Sequence, residues 1–137
     1  DLRLVKPATF MNLSGRAVAA LARFYAIEPA AILVVHDELD LPPGEVKLKF
    51  GGGVAGHNGL RDIRAQTGTA DFWRLRLGVG HPGDKSQVID YVLQRARPAE
   101  ENAIVDAIDA GLDSLAVLLR DGAEKAMNRL HTKVISE

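Results

Sequence analysis

The stretch Glu45-Val46-Lys47-Leu48-Lys49-Phe50, which runs directly into Gly51-Gly52-Gly53-Val54-Ala55-Gly56-His57-Asn58-Gly59, decides the fold class. Its first six residues alternate with period two. Val46, Leu48 and Phe50 point one way and Lys47 and Lys49 the other, the pattern of a half-buried strand. Glycine costs roughly 0.5–1 kcal/mol relative to alanine inside a regular element, so a glycine-rich run suggests a backbone that turns through positive φ or approaches a ligand closely. Beyond it Leu60, Ile63 and Arg64 begin a modest helix that Gly68 should end. His57 and Asn58 sit where the chain turns into that helix, a place suited to an anion or a reacting carbonyl.

Working outward, Phe72 to Val79 is the next strand, with Trp73, Leu75, Leu77 and Val79 on one face and Arg74 and Arg76 on the other. If it neighbours the strand at 45–50, then Lys47, Lys49, Arg74 and Arg76 form one cationic patch. Upstream, Leu2 to Lys6 alternates and stops at Pro7, as a short strand does. A helix follows from Ser14 as N-cap, its apolar positions Ala17, Val18, Leu21, Phe24 and Tyr25 leading up to Pro29. Ala31 to Val35 reads as a strand buried on both faces. It empties into His36-Asp37-Glu38-Leu39-Asp40, acids at the carboxyl end of a strand, where open α/β sheets place their sites.

Downstream, Gly80-His81-Pro82-Gly83 is a turn, and Val88, Ile89, Val92 and Leu93 mark a short helix. Pro98 opens the longest helix, with an expected ridge of Ile104, Ala107, Ile108, Leu112, Leu115, Leu118 and Leu119 ending at Gly122. A last helix spans about Glu124 to His131. Strands alternating with helices make this an α/β sheet covered by helices, in a single domain over residues 1–137.

Composition narrows the chemistry. The 137 residues are 47% apolar and 26% charged, ordinary for a globular chain. With no cysteine, disulfides, thiolate catalysis and cysteine-ligated metals are out. No apolar run reaches membrane-spanning length and Asp1-Leu2-Arg3 opens no signal peptide, so a cytoplasmic protein is expected. The absence of an initiator Met makes the chain look like a piece of a longer one. A net charge of −1 hides a segregation: residues 45–97 carry nine Lys or Arg against five acids, and residues 98–121 six acids against one Arg. Cations sharing one face can bind nucleic acid whatever the total.

Gly51-x-Gly53-x-x-Gly56 formally matches the dinucleotide fingerprint, with Asp71 twenty residues on. In that fold the acid ends the second strand, whereas Asp71 precedes it. A nucleotide-hydrolase phosphate loop requires Gly-Lys-Ser/Thr, and His57-Asn58-Gly59 does not supply it. A plain surface turn stays open, since Asn-Gly is itself a hairpin signal.

Four separated segments taken together resemble the bacterial peptidyl-tRNA hydrolase family: Thr9-Phe10-Met11-Asn12-Leu13-Ser14-Gly15, His36 to Gly44, the glycine loop, and Arg74-Leu75-Arg76-Leu77-Gly78-Val79-Gly80-His81-Pro82-Gly83. The resemblance spans essentially the whole chain in the same order. It implies a mixed sheet flanked by helices on both faces, and metal-independent, cofactor-free hydrolysis of the ester between peptide and tRNA by a monomer. It also implies site roles. Asn12 and Asn58 would hold the substrate's peptide and the attacking water, with Met11 and His57 lining the same crevice. Asp37 would orient the catalytic imidazole, and Lys49 and Arg76 would grip the tRNA 5′ phosphate.

The family's general base, however, is a histidine in a Thr-Arg-His-Asn motif, and none of His36, His57, His81 or His131 lies in one. The expectation is that this stretch alone is inactive or nearly so. Ala55, where the family usually has glycine, would introduce strain of the order of 1 kcal/mol if its φ is positive. A non-catalytic RNA-binding module on the same fold is the alternative. Four further features have bland readings: His36 as a hydrogen-bonded structural residue rather than half of a metal pair with Asp37, Asn12-Leu13-Ser14 as a helix entry rather than a glycosylation sequon, Trp73 as core rather than a base-stacking platform, and the acidic long helix as simply solvated on its outer side.

Overall fold

The computed structural model describes residues 3–7, 13–54, 57–80, 98–122, 124–128 and 130. Its elements are α1 (Ser14–Phe24), a 3-10 turn (Pro29–Ala31), β1 (Leu33–Glu38), β2 (Val46–Phe50), α2 (Asn58–Thr67), β3 (Trp73–Gly78) and α3 (Pro98–Asp121). Residues 124–128 are again helical. The chain forms two compact units, Asp1–Val34 with Phe50–Trp73, and Val35–Lys49 with Arg74–Glu137.

The first unit is built on the pair α1 and α2. Val54, Leu60, Ile63 and Phe72 form its buried cluster, with Val18, Ile32 and Val34 packed against it. The aromatic at its centre is Phe72, 0% exposed. Trp73, expected in the core, is half-buried and packs its ring in a tilted contact with Phe50, at 5.0 Å and 52°. Where the helices cross, a Cβ on Gly15 would lie 2.3 Å from the Asp62 backbone oxygen, so this position admits no side chain. The same approach lets the Asp62 carboxylate accept the Gly15 N–H at 2.7 Å, satisfying one of the first-turn donors of α1.

Three expectations in this unit are corrected. Ser14 is not the N-cap: Leu13 holds that position without a side-chain cap, and Ser14 is buried in the first turn. Helix α1 stops at Phe24, well short of Pro29, in a Schellman turn whose Ala26 N–H reaches Arg23 O and Ile27 N–H reaches Ala22 O. Ala26 occupies its left-handed position at φ 53°, usually taken by glycine, which is why no stop signal stood in the sequence. Residues 3–7 form no strand, and Leu4 and Val5 are exposed. Alternation marks which face a strand could bury, but a strand also needs a partner.

The second unit carries most of a three-stranded sheet in the order β1-β3-β2. Gly51 N–H to Phe72 O and Gly78 N–H to Glu45 O run β2 antiparallel to β3, while Trp73 N–H to Ile32 O and Val79 N–H to Glu38 O run β1 parallel to it, so the sheet is mixed. With β2 and β3 antiparallel, the glycine loop lies in no parallel βαβ unit, which removes the dinucleotide reading. Strand β1 begins two residues later than expected and takes in His36, Asp37 and Glu38. It is not buried on both faces, since Val35 is exposed and His36 is its buried residue.

Helix α3 meets the sheet through a different ridge from the one its large residues suggested. Ala107, Gly111, Ser114 and Val117 are buried, while Leu112 and Leu119 are 58% and 64% exposed. A Cβ on Gly111 would come within 3.0 Å of Leu75, so close contact with the sheet selects small residues over bulky ones. Ser114 is accommodated by donating its hydroxyl to Gly111 O at 2.7 Å. Asp106, Asp109 and Asp113 are exposed, as a solvated outer face requires. The expected helix at 88–93 lies outside the described residues.

Candidate functional site

The glycine loop turns as expected at its start, where Gly51 and Gly52 adopt φ of 67° and 94°, a region that side chains rarely enter. Ala55 lies outside the described residues. His57 is the N-cap of α2, and its Nδ1 accepts the Leu60 N–H at 3.1 Å, the bond an N-cap makes to the third helical residue. Accepting there requires an unprotonated Nδ1, so in the neutral ring the proton sits on Nε2. In this arrangement Nδ1 is taken up by the helix start and does not serve as a general base. Asn58 is the first residue of α2 and exposed, which presents its amide to solvent at the helix start. Met11 and Asn12 lie outside the described residues.

The cationic face follows from register. The Glu45 and Gly78 bond sets Lys47 opposite Arg76 and Lys49 opposite Arg74, with Lys49 and Arg76 diagonal neighbours on one face of the sheet, about 7–8 Å apart at that spacing. Lys47 and Lys49 are exposed. Arg74 shares the face but is only 2% exposed, so it is not part of an accessible patch, a correction to the four-cation expectation. Alternation assigns a face but says nothing about what covers it.

Arg76 is not bare either. Its Nε and Nη2 both donate to Oε1 of Glu38, at 3.0 and 2.6 Å, with the two side chains 21% and 19% exposed. In the parallel pair, Glu38 falls on the same face as Arg76. The pairing of Glu38 with Arg76 is not legible in the sequence. Glu38 stands in the acid cluster after Val35, but only knowledge that β1 lies beside β3 connects it to Arg76.

Asp37, half-buried, is next to last in β1, on the face of Leu75 and Leu77, opposite that of His36 and Glu38. His36 is buried and its Nδ1 donates to the Asp37 backbone oxygen at 2.8 Å. That bond supports its structural reading. The site residues thus fall in both units: His57 and Asn58 in the first, Asp37, Lys49 and Arg76 in the second. His81 and His131 lie outside the described residues. Among the described residues no helix is long and apolar enough to cross a membrane.

With this geometry in place, the chain can be set beside known proteins. The family model "Peptidyl-tRNA hydrolase" matches residues 1–137. The peptidyl-tRNA hydrolase of Proteus mirabilis is 57% identical over 133 residues, covering 96% of this chain and 69% of the relative. That of Methylobacillus flagellatus is 62% identical over 133 residues, covering 97% and 69%. The crystal structure of peptidyl-tRNA hydrolase from Acinetobacter baumannii superposes with a TM-score of 0.87 at 46% identity, over 90% of this chain. The chain spans 63% of the length of that solved structure.

Proposed function

Because the chain belongs to the peptidyl-tRNA hydrolase family, we propose that it serves hydrolysis of the ester between peptide and tRNA, returning tRNA to translation in the cytoplasm as a monomer. The observation that carries this reading is the exposed Lys47 and Lys49 on the same sheet face as Arg76, on neighbouring strands. A line of cations at strand spacing suits consecutive or terminal phosphates, and phosphate contacts set affinity and position on nucleic acid.

The chemistry is addition of water to the ester carbonyl, with the tRNA 3′ hydroxyl as leaving group. Asn12 and Asn58 hold the peptide and the water through their amides. His57 lines the same crevice at the start of α2. Asp37 orients the imidazole of the general base, which keeps one tautomer while the other nitrogen takes the water's proton. That base belongs to a Thr-Arg-His-Asn motif which residues 1–137 do not contain. Cleavage of peptidyl-tRNA by these residues is expected to be at least ~10²-fold slower than by the same residues preceded by that motif. Equal rates would overturn the assignment of the base.

The phosphate assignment is tested by tRNA binding across a salt series. Lys49→Ala should weaken binding and flatten the slope of log affinity against log salt by about one, with the fold unchanged. Binding indifferent to both salt and this substitution would remove the cationic face from the reading.

A further inference from the structure

The Glu38–Arg76 pair stands in the middle of the proposed phosphate site, and its geometry is that of an exchangeable contact. Both described guanidinium bonds go to one carboxylate oxygen, at 3.0 and 2.6 Å, so the acid is engaged through a single atom. The pair is partly exposed, at 21% and 19%, and ion pairs in contact with water hold weakly. A phosphate can offer two oxygens in the fork geometry that a guanidinium prefers. It would also meet Lys47, directly opposite Arg76, and Lys49, diagonal to it, both exposed.

We propose that Glu38 is an internal competitor for the phosphate site: its carboxylate holds the Arg76 guanidinium until a phosphate displaces it, and so sets how strong an anion must be to bind there. This rests on the reading of the Lys49 and Arg76 face as a tRNA-phosphate site. A chloride or a single carboxylate gains too little to open the pair. A terminal phosphate monoester carries −1.5 to −2 charges near neutral pH, on the order of twice a backbone diester, and is the anion class that displaces Glu38 most readily. Glu38 thereby acts on affinity without itself touching the reacting ester.

The test is binding of the 137-residue chain to one tRNA prepared with a 5′ monophosphate and with a 5′ hydroxyl, for wild type, Glu38→Gln, Lys49→Ala, Arg76→Ala and the double variant Glu38→Gln/Arg76→Ala. Glu38→Gln should tighten binding of the phosphorylated tRNA by about two- to fivefold, the equivalent of one weak ion pair. It should steepen the salt dependence and leave the 5′ hydroxyl tRNA nearly unchanged. In the Arg76→Ala background the gain should vanish, which a merely structural role for Glu38 would not produce. Glu38→Asp, which keeps the charge but withdraws the carboxylate by one methylene, should lie between wild type and Glu38→Gln and supplies the measurement if the glutamine variant does not fold. If Lys49→Ala weakens binding while both Glu38 variants leave it unchanged or weaker, the competitor is refuted and the phosphate site stands. If Lys49→Ala has no effect, the phosphate reading fails and the competitor with it.

Discussion

In the helical unit the Asp62 carboxylate accepts a backbone N–H from Gly15, at a crossing too close for even a methyl group, whereas in the sheet unit the Glu38 carboxylate takes two bonds from a side chain at a partly wet strand face. Both acids make a short charge-assisted contact. They differ in what else can fill the partner's place. Around Gly15 the neighbours are backbone atoms of a packed helix, which cannot move apart without loosening the buried cluster. Arg76 is held by one flexible, partly exposed side chain, which on the proposed reading another anion displaces. The first contact belongs to the fold, the second is the one proposed to serve binding, and distance alone does not separate them.

Substitutions that unsettle the helical unit should therefore be costly, and those on the cationic face cheap. Phe72→Ala empties the centre of the buried cluster and should destabilise by about 3–5 kcal/mol in urea denaturation. A loss under about 1 kcal/mol would mean that the cluster does not hold the unit together. Gly15→Ala drives a methyl into the Asp62 backbone and should cost about 3 kcal/mol, the upper end for overpacking, because the obstructing atoms are main chain. A neutral result would show that α1 can slide on α2. Ala26→Gly should go the other way. Relief of the left-handed alanine, worth about 1–2 kcal/mol, less the extra chain entropy of glycine, leaves a gain of about 0.5 kcal/mol in the thermal midpoint analysis. Glu38→Gln should change stability least, by under about 0.5 kcal/mol, while changing tRNA affinity. Were it to destabilise as much as Gly15→Ala, Glu38 would be a part of the fold like Asp62, and the contrast would collapse.

Much of this was legible in the residues. Period-two alternation located β2 and β3 to within a residue or two and assigned Lys47, Lys49, Arg74 and Arg76 to one face, because pleat geometry is local. Gly68 ended α2 where a left-handed cap was expected. Motif order pointed to the family. Other features escaped for reasons equally physical. Large apolar residues on α3 suggested a ridge that the close approach of Gly111 to Leu75 rotates away from. Ala26 ends α1 without a sequence signal because the closing bonds of the turn, Ala26 N–H to Arg23 O and Ile27 N–H to Ala22 O, form with alanine where glycine is usual.

What the sequence determined by itself is whatever depends on neighbours along the chain: strand faces, the glycine turn, the helix that follows it, and the motifs that identify the family. Only the tertiary structure decided which strands lie side by side, that Arg74 is covered while Lys49 is not, that His57 caps a helix through Nδ1, and that Glu38 reaches Arg76 from thirty-eight positions away. Charge acts through space, and the strand order that brings those charges together is set by burial across the whole unit, which no local pattern encodes.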